Sequence, residues 1–581
     1  MPSEYIGDAD TKSSGVDVET DPNNRMTLAN WLPQSFLSLR HYSGKTFLSD
    51  AIAGVTVGLV ALPLAMAFAI SSGVSPQAGL YCAIVAGFLI SFLGGSTTQI
   101  GGPTGAFVVV VYGIVARYGL DGLFMCTLMA GILLVILGAT GLGTLVNFIP
   151  RPVVLGFTNG IAVLIASTQI KDFFGIRVDN VPGEFFARMR VLGRNFHSLS
   201  PAATGLAVVA LVMIIVFSRY VKRVPGYIVA LFAGTILVAL LKLPVETIGT
   251  RFGGIPSGLP TLRIPHFRVD LLRPLISPAI TVAMLGAIES LMTAVVSDRM
   301  SGGKHNPNVE LVGQGVANIF SPLFGGLPAT GAIARTATNI RAGAKTPVAG
   351  MVHALTLLAI VVWAAPLARF IPLSVLAAIL FVVSYNMGEW REIPELLRLS
   401  RLEVATWLIT FALTVFADLT VAVEVGMILA AFVFIRKVTA TTTVSRVTDE
   451  YLREGHAHIL QHKEIPSYVT IFRIHGPFLF GATDKINQIT SRLSELPPII
   501  ILRLRNMTAI DATGLQALED LADAVHASGR ELILCGAREQ PSRLMRQAEF
   551  EQHVGSGNIC TSISEALDRA KAVSQNVLTP A

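Results

Sequence analysis

The chain has 581 residues, of which 52% are apolar and only 14% are charged, with a formal net charge of +6 and a mean hydropathy of +0.61. Soluble domains carry about 25% charge, so this balance excludes an ordinary cytosolic enzyme, an intrinsically disordered chain and a basic protein that coats nucleic acid. Charge is also uneven: residues 440–581 hold 30 of the 82 charged residues, about 21% of that stretch, and residues 1–439 hold the other 52, about 12%. A membrane domain therefore comes first and a soluble domain follows. Cys82, Cys126, Cys535 and Cys560 show no paired spacing, which points to neither a disulfide framework nor a metal centre.

Residues 1–46 are polar and lack the basic-then-apolar pattern of a signal peptide, so they read as a cytosolic segment. From Ala51 to Ala116 there is no Asp, Glu, Lys or Arg. About 20 apolar residues cross a bilayer, so this stretch holds roughly three crossings, broken at Ser71-Ser72-Gly73 and Gly94-Gly95-Ser96. Further apolar runs near 122–146, 152–170, 202–218, 226–243, 275–297, 309–325, 332–340, 347–366, 371–386, 402–417 and 420–435 bring the expectation to about fourteen segments. Two are unusually short and begin after Pro103 and Pro328.

The chain repeats itself weakly. Thr104-Gly105-Ala106 after Gly101-Gly102 returns as Thr330-Gly331-Ala332 after Gly325-Gly326, an offset of 226. Phe148-Ile149-Pro150 returns as Phe370-Ile371-Pro372, an offset of 222. Two matches at nearly one offset predict two homologous halves, about 47–245 and about 270–438. Seven segments per half is odd, so the halves have opposite topology, the inverted repeat of many secondary transporters. Lys and Arg near the segment ends (Arg40, Lys45, Lys222, Arg223, Arg436, Lys437) predict cytoplasmic termini, although the basic 171–200 loop does not help.

A helix broken inside a membrane leaves its first N–H groups without partners, so such breaks line a cavity or a ligand site. Helix N-termini carry partial positive charge, and with their free N–H groups they suit anions. Here two short helices start at equivalent places, near Gly105 and Gly331-Ala332, and meet tip to tip. Arg335, one turn into the second, adds a full charge; a charge inside a span is a functional candidate, and the alternatives are snorkelling or a structural pair. Glu289 in the run 275–297, with Thr293 one turn on, suits a Na⁺ site or a site that takes a proton; the alternative is a structural pair with Arg335. His353 and Trp363 read as packing residues, and the Ser/Thr run 439–445 reads as linker. There is no P-loop, HExxH or His-rich cluster, so the sequence offers no support for ATP-driven transport or hydrolysis, and the chain is not expected to be an enzyme.

The run from Gly326 to Pro347, with Gln99-Ile100-Gly101-Gly102-Pro103-Thr104-Gly105 and Ala61-Leu62-Pro63-Leu64-Ala65-Met66-Ala67-Phe68-Ala69, closely resembles the signature of bacterial SulP (sulfate permease) anion transporters. The resemblance spans nearly the whole chain from about residue 40. It implies fourteen transmembrane segments in two inverted sevens, arranged as a core and a gate domain, with the anion between the third and tenth segments. Phe68, Thr104, Gly105, Gly331, Ala332 and Arg335 then become the substrate-binding residues. Leu64 stands where some members have Gln or Glu, which leaves Glu289 as the main coupling residue. Gly286-Ala287-Ile288-Glu289-Ser290-Leu291 resembles the Na⁺-site segment of the family's bicarbonate transporters, which have Asp at the position of Glu289 and Thr at that of Thr293; the longer Glu makes H⁺ coupling at least as expected.

In the tail, the runs 468–474, 499–504 and 531–535 are strand-like and 512–528 has helical periodicity. The stretch from Asn506 to Leu515 resembles the loop-to-helix motif of STAS domains, with Thr513 at the phosphorylated position of the family's anti-sigma-factor antagonists; the alternative reading of Thr513 is a helix N-cap. The expected architecture is a polytopic α-helical membrane domain (47–438), a linker (439–465) and a small cytosolic α/β STAS domain (466–575). The expected function is secondary active transport of sulfate, bicarbonate or a dicarboxylate, coupled to H⁺ or Na⁺, by an elevator-like movement. The rival readings are an uncoupled anion channel or exchanger and a membrane-tethered STAS signalling protein. No cofactor is expected beyond the coupling ion. The expected setting is a bacterial inner membrane, multi-pass, with both termini and the STAS domain cytoplasmic. The expected partners are the anion, the lipid bilayer, a second copy in a homodimer and a cytosolic regulatory protein at the STAS domain, with no nucleic acid.

Overall fold

The computed structural model describes residues 31–39, 42–143, 150–178, 181–221, 225–255, 258–262, 268–398, 400–417, 419–447 and 465–577. Arg40, Phe148-Ile149, Lys222-Arg223 and most of the expected linker lie outside these. The chain divides into two compact units: residues up to 400 with 404–424, and residues 401–403 with 425 onward.

The first unit is helical. Its elements are α1 (Gln34–Leu39), α2 (Gly44–Ser71), α3 (Pro76–Leu93), strand β1 (Gly101–Gly102), α4 (Gly105–Ala139), α5 (Arg151–Phe174), α6 (Phe185–Arg194), α7 (Pro201–Tyr220), α8 (Gly226–Leu241), α9 (Ile248–Phe252), α10 (Leu272–Ser301), α11 (Pro307–Leu323), strand β2 (Thr330–Gly331), α12 (Ile333–Arg341), α13 (Val348–Ala368), α14 (Leu373–Met387), α15 (Ile393–Leu396), α16 (Arg401–Phe416) and α17 (Leu419–Thr441), which runs on into the second unit. Among the described residues, eight helices are long and apolar enough to cross a membrane. The expected breaks at 71–73 and 94–96 fall at the ends of α2 and α3, where Gly73 has φ 76°. The break between the third and fourth expected segments is a single residue, Gly119, at φ 70° inside α4; only glycine adopts that conformation without strain.

The repeat is visible in the caps. Pro150 is the N-cap of α5 and Pro372 that of α14, both in extended conformation. Thr104 caps α4, but its counterpart is Ala332, the cap of α12; Thr330 lies two residues earlier, in β2. The structural equivalence is thus shifted by two residues from the sequence match. Helices pack in two groups. In one, α10 and α11 lie on α4, and α13 lies on α2 and α3; in the other, α14 lies on α5 and α7. Contact between α4 and α11 is backbone to backbone: a Cβ on Gly131 would lie 2.7 Å from the Gly315 carbonyl oxygen, the close approach that small residues permit between membrane helices. Of the two residues read as packing, His353 is fully buried, whereas Trp363 is 83% exposed on the outer surface of α13 and packs against nothing in the core.

The second unit carries a five-stranded sheet in the order β3 (Thr443–Arg446), β4 (Val469–Phe478), β5 (Ile499–Ile510), β6 (Glu531–Cys535), β7 (Ile559–Cys560). β3 is antiparallel to β4 and the other pairs are parallel. Successive residues of β5 face opposite sides: Ile500, Leu502 and Leu504 pack with the helix Ala512–Ala527, and Ile499 and Ile501 with the helix Ile563–Val577. The Ser/Thr run 439–445 is not linker. It ends α17 and begins β3, whose Val444 pairs with Ile474; β-branched residues beside an open strand edge extend the sheet. Cys535 and Cys560 are in register, yet both are buried free thiols, and burial pushes Cys535 up to about 12.

The N-cap reading of Thr513 is overturned. Asp511 is the cap: its carboxylate accepts the Gly514 N–H at 2.7 Å, and Thr513 lies exposed in the first turn. A carboxylate two residues earlier satisfies the same orphan N–H and suits the helix dipole better. Asp511→Ala should therefore destabilise this unit by about 1 kcal/mol, and Thr513→Ala should stay within about 0.5 kcal/mol. Urea melts of the two variants test this; equal losses would return the cap to Thr513.

Candidate anion site

The two short strands pair antiparallel, Gly101 with Gly331 and Gly102 with Thr330. One step further, the Ala332 N–H donates to the Ile100 carbonyl at 2.8 Å. Each broken helix thus begins from a strand whose backbone is satisfied by the other half. α10 fixes this crossing through three hydroxyls spaced i, i+3, i+7. The Ser290 hydroxyl accepts the Gly331 N–H at 3.2 Å and lies 2.8 Å from Thr330 Oγ1. Thr293 donates to the Gly331 carbonyl at 3.1 Å, and Ser297 lies 2.7 Å from Thr98 Oγ1. A side chain at Gly331 would have to displace the buried Gln99 amide, since a Cβ there would lie 2.1 Å from the Gln99 amide nitrogen and 3.1 Å from the Thr293 Cβ.

α11 holds the approaches with a second stripe, spaced i, i+4, i+8. The Glu310 carboxylate, fully buried, accepts the Gly95 and Ser96 N–H groups at 2.9 and 3.1 Å and the Gln314 amide at 3.0 Å. The Asn318 side chain pairs with both backbone groups of Ala329, at 2.8 and 2.9 Å. In the other direction, buried Asp50 of α2 accepts the Lys345 and Thr346 N–H groups and the Thr346 hydroxyl at 2.7, 3.2 and 2.6 Å. Each half therefore caps a turn of the other.

Eight of the nine sequence candidates belong to this unit. Thr104, the α4 cap, donates its hydroxyl to Glu289 Oε2 at 2.8 Å. Phe68 lies beside the tip: a Cβ on Gly105 would lie 3.4 Å from Phe68 Cε1, 3.1 Å from Ile165 Cδ1 and 3.2 Å from Met387 Sδ. Ala332 caps α12 and is buried. Arg335 is 2% exposed and reaches across to the other half, where Nη2 donates to the Pro103 carbonyl. Its Nη1 occupies the space that a Cβ on Gly102 would fill, 2.7 Å away, and has no hydrogen-bond partner among the described residues. No ion pair joins Glu289 to Arg335 among the described residues: Glu289 is held by Thr104 instead. Thr513 belongs to the second unit, away from these residues in the chain.

A cavity of about 830 Å³ lies between α10, on its Ile288, Met292 and Val295 side, and Val154 and Leu155 of α5, with Arg151, Arg299 and Glu389 also on its wall. Glu289, next to Ile288 in α10, keeps partial exposure. The arrangement supplies two helix N-termini, a guanidinium with an unused donor, and one carboxylate whose hydroxyl partner sits at a helix tip. Ser290, Ser297, Glu310 and Asn318 were not singled out by sequence reasoning. Their signal was present as polar residues recurring on one face of otherwise apolar helices.

Glu310→Ala should leave two buried N–H groups without an acceptor, at about 1–3 kcal/mol each. Glu310→Gln keeps one acceptor oxygen and should lose less. Thermal melts of the purified protein in detergent read this; a Glu310→Ala melt equal to the parent would remove Glu310 from the support of the tip.

Comparison with known proteins accounts for both units. The family model described as "Sulfate permease family" matches residues 47–410, and the model described as "STAS domain" matches 460–566. The chain is 40% identical over 517 residues to the putative sulfate transporter YvdB of Bacillus subtilis, covering 88% of this chain and 96% of the relative. It is 32% identical to the bicarbonate transporter BicA of Synechocystis, covering 90% and 94%. Among solved structures, the transmembrane domain of a cyanobacterial BicA aligns with TM-score 0.59 at 34% identity, over 67% of this chain and 98% of that one. The murine anion transporter Slc26a9 in its inward-facing state aligns with TM-score 0.84 at 17% identity, over 98% and 100%, a likeness of fold. The chain belongs to the sulfate permease family of membrane transporters and ends in a STAS domain.

Proposed function

We propose that this protein is a secondary active transporter of a small anion of the sulfate, bicarbonate or dicarboxylate class, coupled to H⁺ or Na⁺. The observation that carries the reading is the β1–β2 crossing, where two broken helices begin beside each other with Glu289 tied to the cap of one. Phe68, Thr104, Gly105, Gly331, Ala332 and Arg335 are its anion-binding residues. Each helix start contributes partial positive charge and Arg335 a full one, so a small anion replaces the water that free N–H groups would otherwise need. Relatives named for sulfate and for bicarbonate support an oxyanion, and the single carboxylate suits one monovalent ion.

Glu289 is the coupling residue. For Na⁺, Glu289, the Thr293 hydroxyl and the Gly331 carbonyl are the oxygen donors, and the 3.1 Å between the last two fits oxygens that share one cation. For H⁺, protonated Glu289 gives up its claim on the Thr104 hydroxyl and frees it for the anion. Alternating access follows from sliding the group that contains α4, α10 and α12 against the group that contains α5 and α14. The cavity between α10 and α5 is the path to one side of the membrane, assigned as cytoplasmic together with the termini and the STAS domain. A homodimer in a bacterial inner membrane, with the exposed Thr513 hydroxyl as a regulatory phosphosite and the STAS domain as a docking place for a cytosolic protein, completes the reading.

Uptake of labelled anions by purified protein in liposomes, under separate H⁺ and Na⁺ gradients, tests this directly. Glu289→Gln should abolish gradient-driven accumulation while anion binding persists; full accumulation under both gradients would leave Glu289 a structural partner only. Arg335→Ala should weaken anion binding about tenfold to a hundredfold, from the loss of a charged contact of about 1.5–3 kcal/mol, and Arg335→Lys should recover part of it. Flux without any gradient coupling in the parent protein would favour the channel or exchanger.

A further inference from the structure

The faces of the membrane unit on either side of the site are built differently. On the face where α5 begins and α10 and α14 end lies the cavity. The other face, where α2 and α5 end, is closed by side chains. The Tyr112 hydroxyl, two turns into α4 from the Gly105 tip, donates to the Val181 carbonyl at 2.8 Å, and a Cβ on Gly183 would lie 2.8 Å from the Tyr112 ring. Arg188 of α6 is 4% exposed. Its Nη1 donates to the Ser167 hydroxyl of α5 at 2.8 Å, its Nε to the Pro182 carbonyl at 3.2 Å and its Nη2 to the Gly183 carbonyl at 2.6 Å. Its Cζ lies 5.9 Å from the Tyr112 ring centroid. Beside it, Gln169 of α5 donates to the Ser71 hydroxyl of α2 at 2.9 Å. Ser167 lies 16 residues along α5 from Arg151 at the cavity, about 24 Å of helix, and within that length Ile165 faces the α4 tip, 3.1 Å from where a Cβ on Gly105 would sit.

We infer that residues 181–194 form a door over the anion path on the face away from the cavity, with Tyr112 as its latch and Arg188 as the brace that ties the door to α5. This rests on the transport reading above. Tyr112 and Ser71 belong to the helices that carry the site, whereas Ser167, Gln169 and the 181–194 segment follow α5. Any sliding of one group against the other on this face must part Tyr112 from 181–183 and Ser71 from Gln169. The latch is built for repeated opening. The hydrogen bonds that opening breaks, Tyr112 to the Val181 carbonyl and Gln169 to the Ser71 hydroxyl, are replaced by water at small net cost because a typical hydrogen bond contributes only about 0.5–1.5 kcal/mol net. Parting Tyr112 from the door also uncovers the Arg188 guanidinium, whose Cζ lies 5.9 Å from that ring, and its positive charge attracts an approaching anion.

The test is a reversible bolt. Tyr112→Cys removes the ring that would clash with a side chain at 183, so Tyr112→Cys with Gly183→Cys places two thiols across the door. In liposomes with mild copper-phenanthroline oxidation, which takes up the two electrons and two protons released, the pair should form a disulfide detectable by mass. Uptake should then fall at least tenfold and return with reductant, with neither single variant responding. A confirmed disulfide with undiminished uptake overturns the door, and so does failure of the pair to cross-link. Should the reduced pair not transport, Ser71→Cys with Gln169→Cys, bridged by a short bifunctional thiol reagent, asks the same question of the neighbouring contact, with the same two outcomes. Unaltered protein in the same liposomes separates the readings: no uptake there defeats the transport proposal, whereas normal uptake with an ineffective bolt defeats the door alone.

Discussion

A membrane interior offers no water to an unpaired backbone group, and the fold is organised around that fact. Interrupting a helix near Pro103 and again near Pro328 exposes N–H and C=O groups that cost several kcal/mol each if left alone. Neither half can satisfy its own interruption. The pairing of Gly101 with Gly331 and Gly102 with Thr330 settles part of the account, and the hydroxyls of Ser290 and Thr293 settle more. The space between the helix tips, where both broken helices begin, is the proposed anion site.

The supporting polar groups divide into two kinds. Hydroxyls on α10 touch the crossing strands directly, whereas the carboxylates Glu310 and Asp50 sit one layer back and hold the turns leading into β1 and α13. Both carboxylates are buried and accept several backbone donors, the arrangement in which a charge in a low dielectric is worth keeping. Each lies in one half and serves the other. The halves are therefore joined by reciprocal capping as well as by apolar packing, which fixes the positions of the tips more sharply than packing alone does.

Much of this was legible in the residues. Glycine pairs before Pro103 and Pro328 marked both breaks, the common offset marked the two halves, and isolated charges in apolar runs marked Arg335 and Glu289. The partners were not legible. Arg335 and Glu289 are each the obvious counter-ion for the other in a linear reading, yet three-dimensional placement gives one to a carbonyl and the other to a threonine. The interruption at Gly119 was legible as the gap between the third and fourth apolar runs, flanked by Arg117 and Asp121, but not as a single kinked residue inside one continuous helix. Thr513 looked like a cap by its position in a motif, and Asp511 took the role because the cap is chosen by which side chain reaches the third N–H. The strand at 443–446 was missed because a Ser/Thr run reads as a spacer until an open sheet edge stands next to it.

The separation of the paired strands has a consequence for how the protein is made. Gly101 and Gly331 are 230 residues apart. At about 5–20 residues per second, Gly101 is made roughly 12–46 s before its partner Gly331. For that interval the loop from Gly94 to Thr104 has no β2 to bind and cannot rest stably in hydrocarbon. It must wait at the membrane surface or against the insertion machinery, so assembly of the site is a late event in biogenesis. A chain arrested after the first half would carry most of the spanning helices of that half and none of the means to seat its broken one.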